Sequence, residues 1–265
     1  MKISIITTTY NSASTVRDTI ESVLRQDYPD IEYIVIDGGS TDGTLDILAQ
    51  YDGWISKVVS ESDSGIYDAM NKGISISTGH VIGMLNSDDF FTSSCIISTV
   101  AAAFSADETL DAVYGDIHFA DSSDLTHYTR YYSSAHFRPG WLRYGIMPAH
   151  PSFYLRRSTY ERAGLYDTTF TIASDFEMMV RLYHRIGIKS RYINADFVTM
   201  RRGGISTRNL RNRLTITREA VRACRKNGLY TNLLLVSVKY LYKMFEYRRL
   251  HKLVNVDKTK NNAED

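Results

Sequence analysis

The sequence predicts an α/β fold in which helices flank a mostly parallel sheet. Over the first 90 residues, short apolar runs alternate with stretches that repeat apolar residues at helical spacing, which is typical of βαβ units. Each apolar run also ends in polar or acidic residues. Sheets of this kind bind ligands at the carboxyl ends of their strands, so these polar ends indicate a binding edge.

The elements follow in order along the chain. Strands are expected at residues 2–9, 31–36, 54–60 and 80–85, with helices at 14–26, 44–51 and 66–77 between them. This alternation favours a Rossmann-like, doubly wound sheet. A helix at 95–104, a strand at 111–117, a strand at 150–155, a helix at 157–163 and a helix beginning near Asp175 complete the pattern. Residues 118–145 are aromatic and polar and predict an irregular or antiparallel region.

Composition and charge describe a globular body with a basic C-terminal segment. Residues 1–200 hold 15 Lys/Arg and 25 Asp/Glu, whereas residues 201–252 hold 14 Lys/Arg and only two acids. We expect residues 208–252 to form a basic amphipathic helical extension and 253–265 to be a disordered tail. Basic residues among aliphatic and aromatic ones fit a helix that lies on an anionic membrane surface. Packing against the globular body or against a second subunit, giving a homodimer, is the alternative.

The cysteines and the N-terminus predict a cytoplasmic protein. Cys95 and Cys224 lie in apolar helical contexts, so both are expected to be reduced thiols in the core. The N-terminus leads straight into a strand and lacks the cleavage site of a signal peptide. Peripheral attachment at the cytoplasmic face of the inner membrane would fit both this N-terminus and the basic extension.

Four polar stretches follow the first four strands and should meet at one edge of the sheet. They are Thr9-Tyr10-Asn11, Asp37-Gly38-Gly39, Glu61-Ser62-Asp63 and Asn86-Ser87-Asp88-Asp89. Each stretch alone also fits an ordinary turn or helix cap. Four polar stretches at one edge are harder to explain as residues that only keep the protein soluble, so their convergence indicates a binding site.

The acidic pair Asp88-Asp89 predicts a metal site. Adjacent carboxylates at a buried strand end repel each other, and a divalent cation removes that cost. Carboxylate oxygens are hard donors that suit Mn²⁺ or Mg²⁺, and Mg²⁺ commonly bridges carboxylates and substrate phosphates. An ordinary polar strand-to-helix turn is the alternative.

Further residues carry chemistry that fits a phosphorylated ligand. Asp37 and Asp63 can accept hydrogen bonds from a base or ribose, or else cap helices. Lys72 and the basic Arg201-Arg202 loop can neutralise phosphates, or else be solvated. Asp175 begins a helix, where the dipole favours its ionised form, and is a candidate general base or a simple cap.

These motifs together resemble the family 2 glycosyltransferases of the GT-A fold. The resemblance spans residues 1–207 and looks closest to bacterial enzymes of O-antigen and exopolysaccharide assembly. The matching stretches are Thr8-Thr9-Tyr10-Asn11, Ile36–Thr44, Asp63–Gly73, Leu85–Asp89, His150–Phe153 and Ile172–Asp175. It implies a nucleotide-sugar-binding half at 1–89 and an acceptor-side half at 90–207.

The resemblance also implies a role for each matching residue. Asp175 would be the catalytic base, Asp88 and Asp89 would hold the metal, and His150 and Trp141 would lie on the acceptor side. The nucleotide-sugar donor would contact Thr8, Tyr10, Asn11, Asp37, Asp63, Lys72, Asn86, Ser87, Asp88, Arg201 and Arg202. Two positions depart from the family pattern: Asn86 replaces the first Asp of the Asp-x-Asp motif, and Ser174 stands where an acid often precedes the base.

The implied function is inverting transfer of a sugar from a nucleotide-sugar, with a UDP-sugar expected, to a hydroxyl group. The acceptor would be a glycan or a polyprenyl-diphosphate-linked oligosaccharide. A nucleotidyltransferase is an alternative, although no Gly-rich phosphate loop follows the first strand. A non-catalytic carbohydrate- or nucleic-acid-binding protein is another. The acidic strand ends argue against nucleic acid, because without a metal they repel phosphates.

Overall fold

The computed structural model describes residues 1–202 and 210–240, and within them a nine-stranded sheet has helices on both faces. The strands are β1 (Ile3–Thr9), β2 (Ile31–Asp37), β3 (Lys57–Ser60), β4 (Val81–Met84), β5 (Asp89–Phe91), β6 (Ala112–Asp121), β7 (Asp124–Tyr132), β8 (Phe153–Arg156) and β9 (Ser190–Arg201). The helices are α1 (Val16–Leu24), α2 (Thr44–Ala49), α3 (Ile66–Ile76), α4 (Ile96–Ala106), α5 (Arg157–Ala163), α6 (Ser174–Val180) and α7 (Leu210–Lys226).

The sheet has a parallel half and a mixed half. Its order is β3-β2-β1-β4-β8-β6-β9-β5, with β7 paired to β6. The strands β1 to β4 are mutually parallel, as the βαβ pattern predicted. In the other half β8 runs antiparallel to both its neighbours, and β6 and β7 form an antiparallel hairpin. The prediction of an antiparallel region within 118–145 is therefore confirmed.

Two apolar layers hold the sheet, one on each face. The helices α1 and α4 bury residues such as Ile20 and Val100 against one face. The helices α3, α6 and α7 cover the other face, with Met70, Met179 and Ala223 in the same core. The strand β1 is buried along its whole length because β2 and β4 flank it and helices cover both sides.

The helix α7 is part of this core and is not a detached extension. Its inner face buries Ala220, Val221, Ala223 and Cys224, and it packs mainly on α6. Its outer face carries exposed arginines. The proposed boundary at residue 207, the end of the extension and the tail 253–265 lie outside the described residues. Within the part of the chain that is described, no helix is long and apolar enough to cross a membrane.

Several local predictions were wrong. The third strand begins at Lys57 and not at Trp54, whose side chain is 69% exposed. The strand predicted from His150 begins at Phe153, after a 3₁₀ turn that contains Pro151. Cys95 is exposed because it precedes α4 and does not lie on its buried face.

Candidate active site

The polar strand ends meet at one edge of the sheet, as predicted. Thr9 pairs with Asp37, and Asp37 pairs with Ser60, so three strands end at the same level. On the other side of β1, the backbone N–H of Ser87 donates to the carbonyl of Thr8 (3.3 Å). The side chains that follow β1, β2, β3 and β4 are therefore neighbours.

The loop after β1 is tied to the loops after β2 and β4. Asn11 adopts φ of 49°, a left-handed conformation that asparagine tolerates better than most residues. Its Oδ1 accepts a hydrogen bond from the backbone N–H of Thr41 (2.9 Å). The hydroxyls of Ser12 and Ser87 are 2.8 Å apart, and Thr8 Oγ1 donates to Asn86 Oδ1 (3.3 Å). Thr8 thus contacts both Asn86 and Ser87, while Asn11 joins the loop after β1 to the loop after β2.

Asp37 organises this edge from inside, and its predicted contact with a base stays a prediction. The side chain is fully buried. Its Oδ2 accepts hydrogen bonds from the backbone N–H groups of Gly39 and Ser40 (both 3.0 Å) and from the Ser60 hydroxyl (2.7 Å). Its Oδ1 accepts from the Ser40 hydroxyl (2.5 Å). A carboxylate with four donors and no exposed surface stabilises the turn.

Asp63 lies beside Gly38 and Tyr10. A Cβ atom on Gly38 would lie 2.6 Å from Asp63 Oδ2 and 3.4 Å from Cδ2 of Tyr10. The absence of a side chain at Gly38 therefore leaves the room that the Asp63 carboxylate occupies against the backbone there. Tyr10 is 64% exposed, so its ring face is available to a ligand. Asp63 Oδ1 is held by the backbone N–H of Gly65 (2.8 Å).

The acidic pair differs in exposure. Asp88 is partly exposed, whereas Asp89 is fully buried and neither of its carboxylate oxygens has a hydrogen-bond partner among the described residues. Burial raises the pKa of Asp88, and burial together with the Asp88 charge raises the pKa of Asp89 well above its usual range. Buried carboxyl oxygens without donors fit a cation site, because a cation supplies the missing partner.

Arg201 is fixed beside this pair and does not belong to a flexible loop. It ends β9, its guanidinium donates to the backbone carbonyl of Asp88 (2.9 Å), and it forms an ion pair with Asp18. Its side chain is only 8% exposed. Since the adjacent strand β5 holds Asp89 against β9, the pairing places Arg201 near both acids. Arg202 is exposed at the end of the same strand, and its carbonyl accepts a hydrogen bond from Ser122.

Lys72 is engaged by two acids, and its predicted phosphate contact stays a prediction. Its Nζ lies 2.9 Å from a carboxylate oxygen of Glu61 and 3.6 Å from one of Asp68. The hydrogen bond to Glu61 raises the pKa of Lys72. Its charge is therefore already balanced within the protein.

Asp175 lies in the first turn of α6, where the sequence predicts a general base. Its Oδ1 accepts a hydrogen bond from the backbone N–H of Phe176 (2.7 Å) and a longer one from the Tyr67 hydroxyl (3.4 Å). Burial raises the pKa of Asp175, while His150 and these hydrogen bonds oppose the rise. Part of its surface remains exposed, so a substrate hydroxyl can reach it. A carboxylate with a raised pKa is a stronger base than a solvated one.

His150, expected on the acceptor side, lies close enough to Asp175 for their charges to interact. Its Nε2 lies 2.8 Å from the Tyr166 hydroxyl. Burial lowers the pKa of His150, so the neutral ring is favoured. The predicted acceptor-side histidine and the predicted base are therefore parts of one site.

Three residues of this site were missed by the sequence analysis: Tyr67, Asn71 and Tyr166. The rings of Tyr67 and Tyr166 stack with their centroids 5.8 Å apart. The Asn71 side chain bonds both backbone groups of Tyr166, donating to its carbonyl (2.9 Å) and accepting from its N–H (2.8 Å). The motif Asp63–Gly73 was recognised from sequence, but only packing shows that it reaches Asp175.

Trp141, predicted to lie on the acceptor side, is in a 3₁₀ turn at Pro139–Tyr144. It lines an open cavity of about 410 Å³ together with Ala135, His136, Phe137 and Arg138. The C-terminal segment fixes this turn, because the Thr231 hydroxyl donates to the carbonyl of Arg143.

The comparison with protein families shows which family the chain belongs to. The family described as Glycosyl transferase family 2 matches residues 4–183, which include the strand ends, the acidic pair and Asp175. The chain belongs to glycosyl transferase family 2. Membership decides against the nucleotidyltransferase and non-catalytic alternatives.

Two curated relatives of this family 2 glycosyltransferase are named for the biosynthesis of different glycans. The "PGL/p-HBAD biosynthesis glycosyltransferase" of Mycobacterium bovis is 28% identical over 207 residues, covering 77% of this chain and 78% of the relative. The "Putative teichuronic acid biosynthesis glycosyltransferase TuaG" of Bacillus subtilis is 43% identical over 90 residues, covering 33% of this chain and 36% of the relative.

Solved structures confirm the GT-A fold. S. aureus TarS matches with a TM-score of 0.65 and 18% identity over 87% of this chain, which spans 41% of TarS. TarS 1–349 in complex with UDP-GlcNAc matches with the same TM-score and identity, over 68% of that shorter chain. The mannosyltransferase PcManGT from Pyrobaculum calidifontis, solved with GDP-Man and Mn²⁺, matches with a TM-score of 0.63 and 18% identity over 85% of this chain and 63% of its own.

Proposed function

We propose that this glycosyltransferase moves a sugar from a UDP-sugar to a hydroxyl of its acceptor with inversion at the anomeric carbon. The observation that carries the proposal is the position of Asp175 relative to the nucleoside-side residues. Tyr67, in the first turn of α3, contacts Asp175, and Asp63 lies just before the same helix. The base and the nucleoside contact therefore lie at one end of α3.

Each side chain has a defined task in this reaction. The Tyr10 ring and the Asp63 carboxylate bind the nucleoside, and Asn86 and Ser87 shape the edge beside them. The acceptor oxygen attacks the anomeric carbon while the bond to the UDP oxygen breaks, and Asp175 takes the acceptor's proton. Because this single displacement needs only one base, it does not require the carboxylate pair used in hydrolysis.

A divalent cation, Mn²⁺ or Mg²⁺, fits the acidic pair. Asp88 would hold it, and the buried, unpartnered Asp89 would support it. When bound, such an ion offsets the negative charge that develops on the leaving diphosphate. Within the described residues no group of three His, Cys, Asp or Glu side chains forms a closed metal site. The Mn²⁺ in the PcManGT complex supports this proposal.

The acceptor is proposed to be a glycan or a polyprenyl-diphosphate-linked oligosaccharide in bacterial surface polysaccharide assembly. The names of the mycobacterial relative and of TuaG support a surface glycan. The His150 and Trp141 side of the molecule would receive it. Transfer to lipid-linked glycans from bacterial membranes, measured with a radiolabelled donor, tests this acceptor class.

The C-terminal segment is proposed to bind the anionic cytoplasmic face of the inner membrane. Basic and apolar side chains together favour a peripheral position on anionic lipid. The basic ones are on α7 and the apolar ones follow it, and all are exposed: Arg213, Arg218, Arg225, Tyr230, Leu233, Leu234 and Val238.

Liposome flotation tests this membrane contact. Replacing Leu233 and Leu234 by serine should abolish binding to vesicles that contain phosphatidylglycerol. Trp54→Ser removes an exposed apolar residue elsewhere and should leave binding intact. Unchanged flotation of the double variant contradicts the proposal, and a monomer–dimer shift in that variant would assign the patch to a homodimer.

Nucleotide binding tests the reaction class. UDP, GDP and dTDP are compared for Mn²⁺-dependent thermal stabilisation, followed by release of UDP from UDP-GlcNAc, UDP-glucose and UDP-galactose. We expect stabilisation by UDP and slow donor hydrolysis that EDTA abolishes. Donor hydrolysis that continues unchanged in EDTA contradicts the requirement for a metal. The absence of thermal stabilisation by any of the three nucleotides contradicts the proposed donor.

A further inference from the structure

Glu219, on the basic helix α7, binds three consecutive backbone N–H groups. Thr171 donates to Oε1 (2.8 Å), and Ile172 (3.0 Å) and Ala173 (2.9 Å) donate to Oε2. Glu219 is buried, with 9% of its surface exposed. Hydrogen bonds to a charged acceptor are among the strong ones, so this carboxylate holds the segment 171–173 firmly.

The same segment is held from the opposite side by α3. The Tyr67 hydroxyl donates to the carbonyl of Ile172 (2.5 Å), and this is its shorter contact, since Asp175 Oδ1 lies at 3.4 Å. Asp175 follows two residues after Ala173, and α6 begins at Ser174. The backbone that leads into the first turn of α6 is therefore fixed between Tyr67 and Glu219, and its position determines where the Asp175 carboxylate points.

Other residues on the same face of α7 contact the adjoining loop. Arg222 donates to the Thr169 hydroxyl (2.5 Å), and Lys226 forms an ion pair with Asp167 (2.6 Å). Positions 219, 222 and 226 lie on one side of a helix. One face of the basic helix thus acts on the loop before α6, while the arginines of its outer face remain exposed.

We infer that Glu219 is a positioning residue for Asp175, and that α7 is thereby part of the catalytic apparatus. This inference rests on the proposed role of Asp175 as the base. Glu219 touches neither donor nor acceptor, and it acts by fixing the backbone from which Asp175 projects. Small displacements of a catalytic group have large effects on rate, about 10²-fold for 1 Å.

The test compares Glu219→Gln with Asn227→Ala. Glutamine keeps the size of Glu219 but replaces one acceptor oxygen by a donor, which opposes the backbone N–H groups. Asn227, which directly follows α7, donates to Glu177 on α6 (3.0 Å), so its substitution breaks a contact with α6 that does not touch residues 171–173. UDP release from UDP-GlcNAc, UDP-glucose or UDP-galactose is measured with UDP affinity, melting temperature and hydrogen exchange.

We expect Glu219→Gln to reduce donor turnover about 10²-fold with unchanged UDP affinity and faster amide exchange at 171–173. Asn227→Ala should lower the melting temperature and keep turnover. Equal turnover loss in both variants, or none in Glu219→Gln, overturns the inference. If Glu219→Gln fails to fold, Glu219→Asp, which retains the charge at shorter reach, takes its place with the same expectation.

The Asp175→Asn variant separates the two claims. If Asp175→Asn is inactive and Glu219→Gln is fully active, the positioning role of Glu219 is refuted and the proposed base is not. An Asp175→Asn that keeps near wild-type turnover refutes the proposed base, whatever Glu219→Gln does. In the Asp175→Asn background, Glu219→Gln should have no further effect on turnover, because the group that it positions is no longer a base.

Discussion

Replacing Gly38 by alanine should weaken nucleotide binding while leaving the protein folded. The new Cβ atom would lie 2.6 Å from Asp63 Oδ2, closer than real Cβ contacts allow, so the carboxylate must move away from Gly38. The fold tolerates this because Asp63 is a partly exposed side chain.

The expected loss of affinity follows from one displaced hydrogen bond. A hydrogen bond to a charged group contributes about 1.5–3 kcal/mol, which corresponds to a roughly 10- to 150-fold increase in Kd for UDP. Isothermal titration calorimetry measures the Kd, and the melting temperature reports folding. Gly140→Ala is the matched control, since a Cβ atom there meets nothing within 4 Å. Wild-type affinity in Gly38→Ala would refute the role of Asp63 beside the nucleoside.

Three further substitutions test the other assignments. Lys72→Ala should leave UDP affinity unchanged, because Glu61 and Asp68 already engage the ammonium group. A large loss of UDP affinity in calorimetry would instead indicate that Lys72 contacts a phosphate. Asp37→Ala should lower the free energy of unfolding in urea by about 3 kcal/mol, since it leaves buried donors unpaired, and an unchanged value contradicts its structural role. Tyr67→Phe removes a hydrogen bond that stabilises ionised Asp175, so the pKa of Asp175 should rise and the acidic limb of the pH–rate profile should move to higher pH. An acidic limb that moves to lower pH would contradict the contact between Tyr67 and Asp175.

The parallel half of the sheet was predictable because its signals are local. Strand β1 and helix α1 follow directly from apolar spacing, and polar strand ends in a parallel sheet must meet at one edge. The antiparallel insertion of β8 between β4 and β6 was not predictable, because it depends on pairs that are distant along the chain, such as Gly83 with Tyr154.

The residue types of the candidate site were predictable from the sequence, whereas the contacts that these residues make were less predictable. Asp175 was found by its place at a helix start, whereas the engagement of Lys72 by Glu61 and of Asp37 by its own turn required the folded structure. Glu219 has no local signal at all. It is one acid in a basic helix, and its role depends on contacts with residues 46 to 48 positions earlier in the chain.

The rate of sugar transfer by Asp175→Asn, measured beside its UDP affinity, tests the central claim most directly. Asparagine keeps the shape of the side chain and removes the basic oxygen. The account predicts that transfer falls by about 10²–10⁴-fold while the Kd for UDP stays at the wild-type value. Near wild-type transfer by a variant that still binds donor would contradict it.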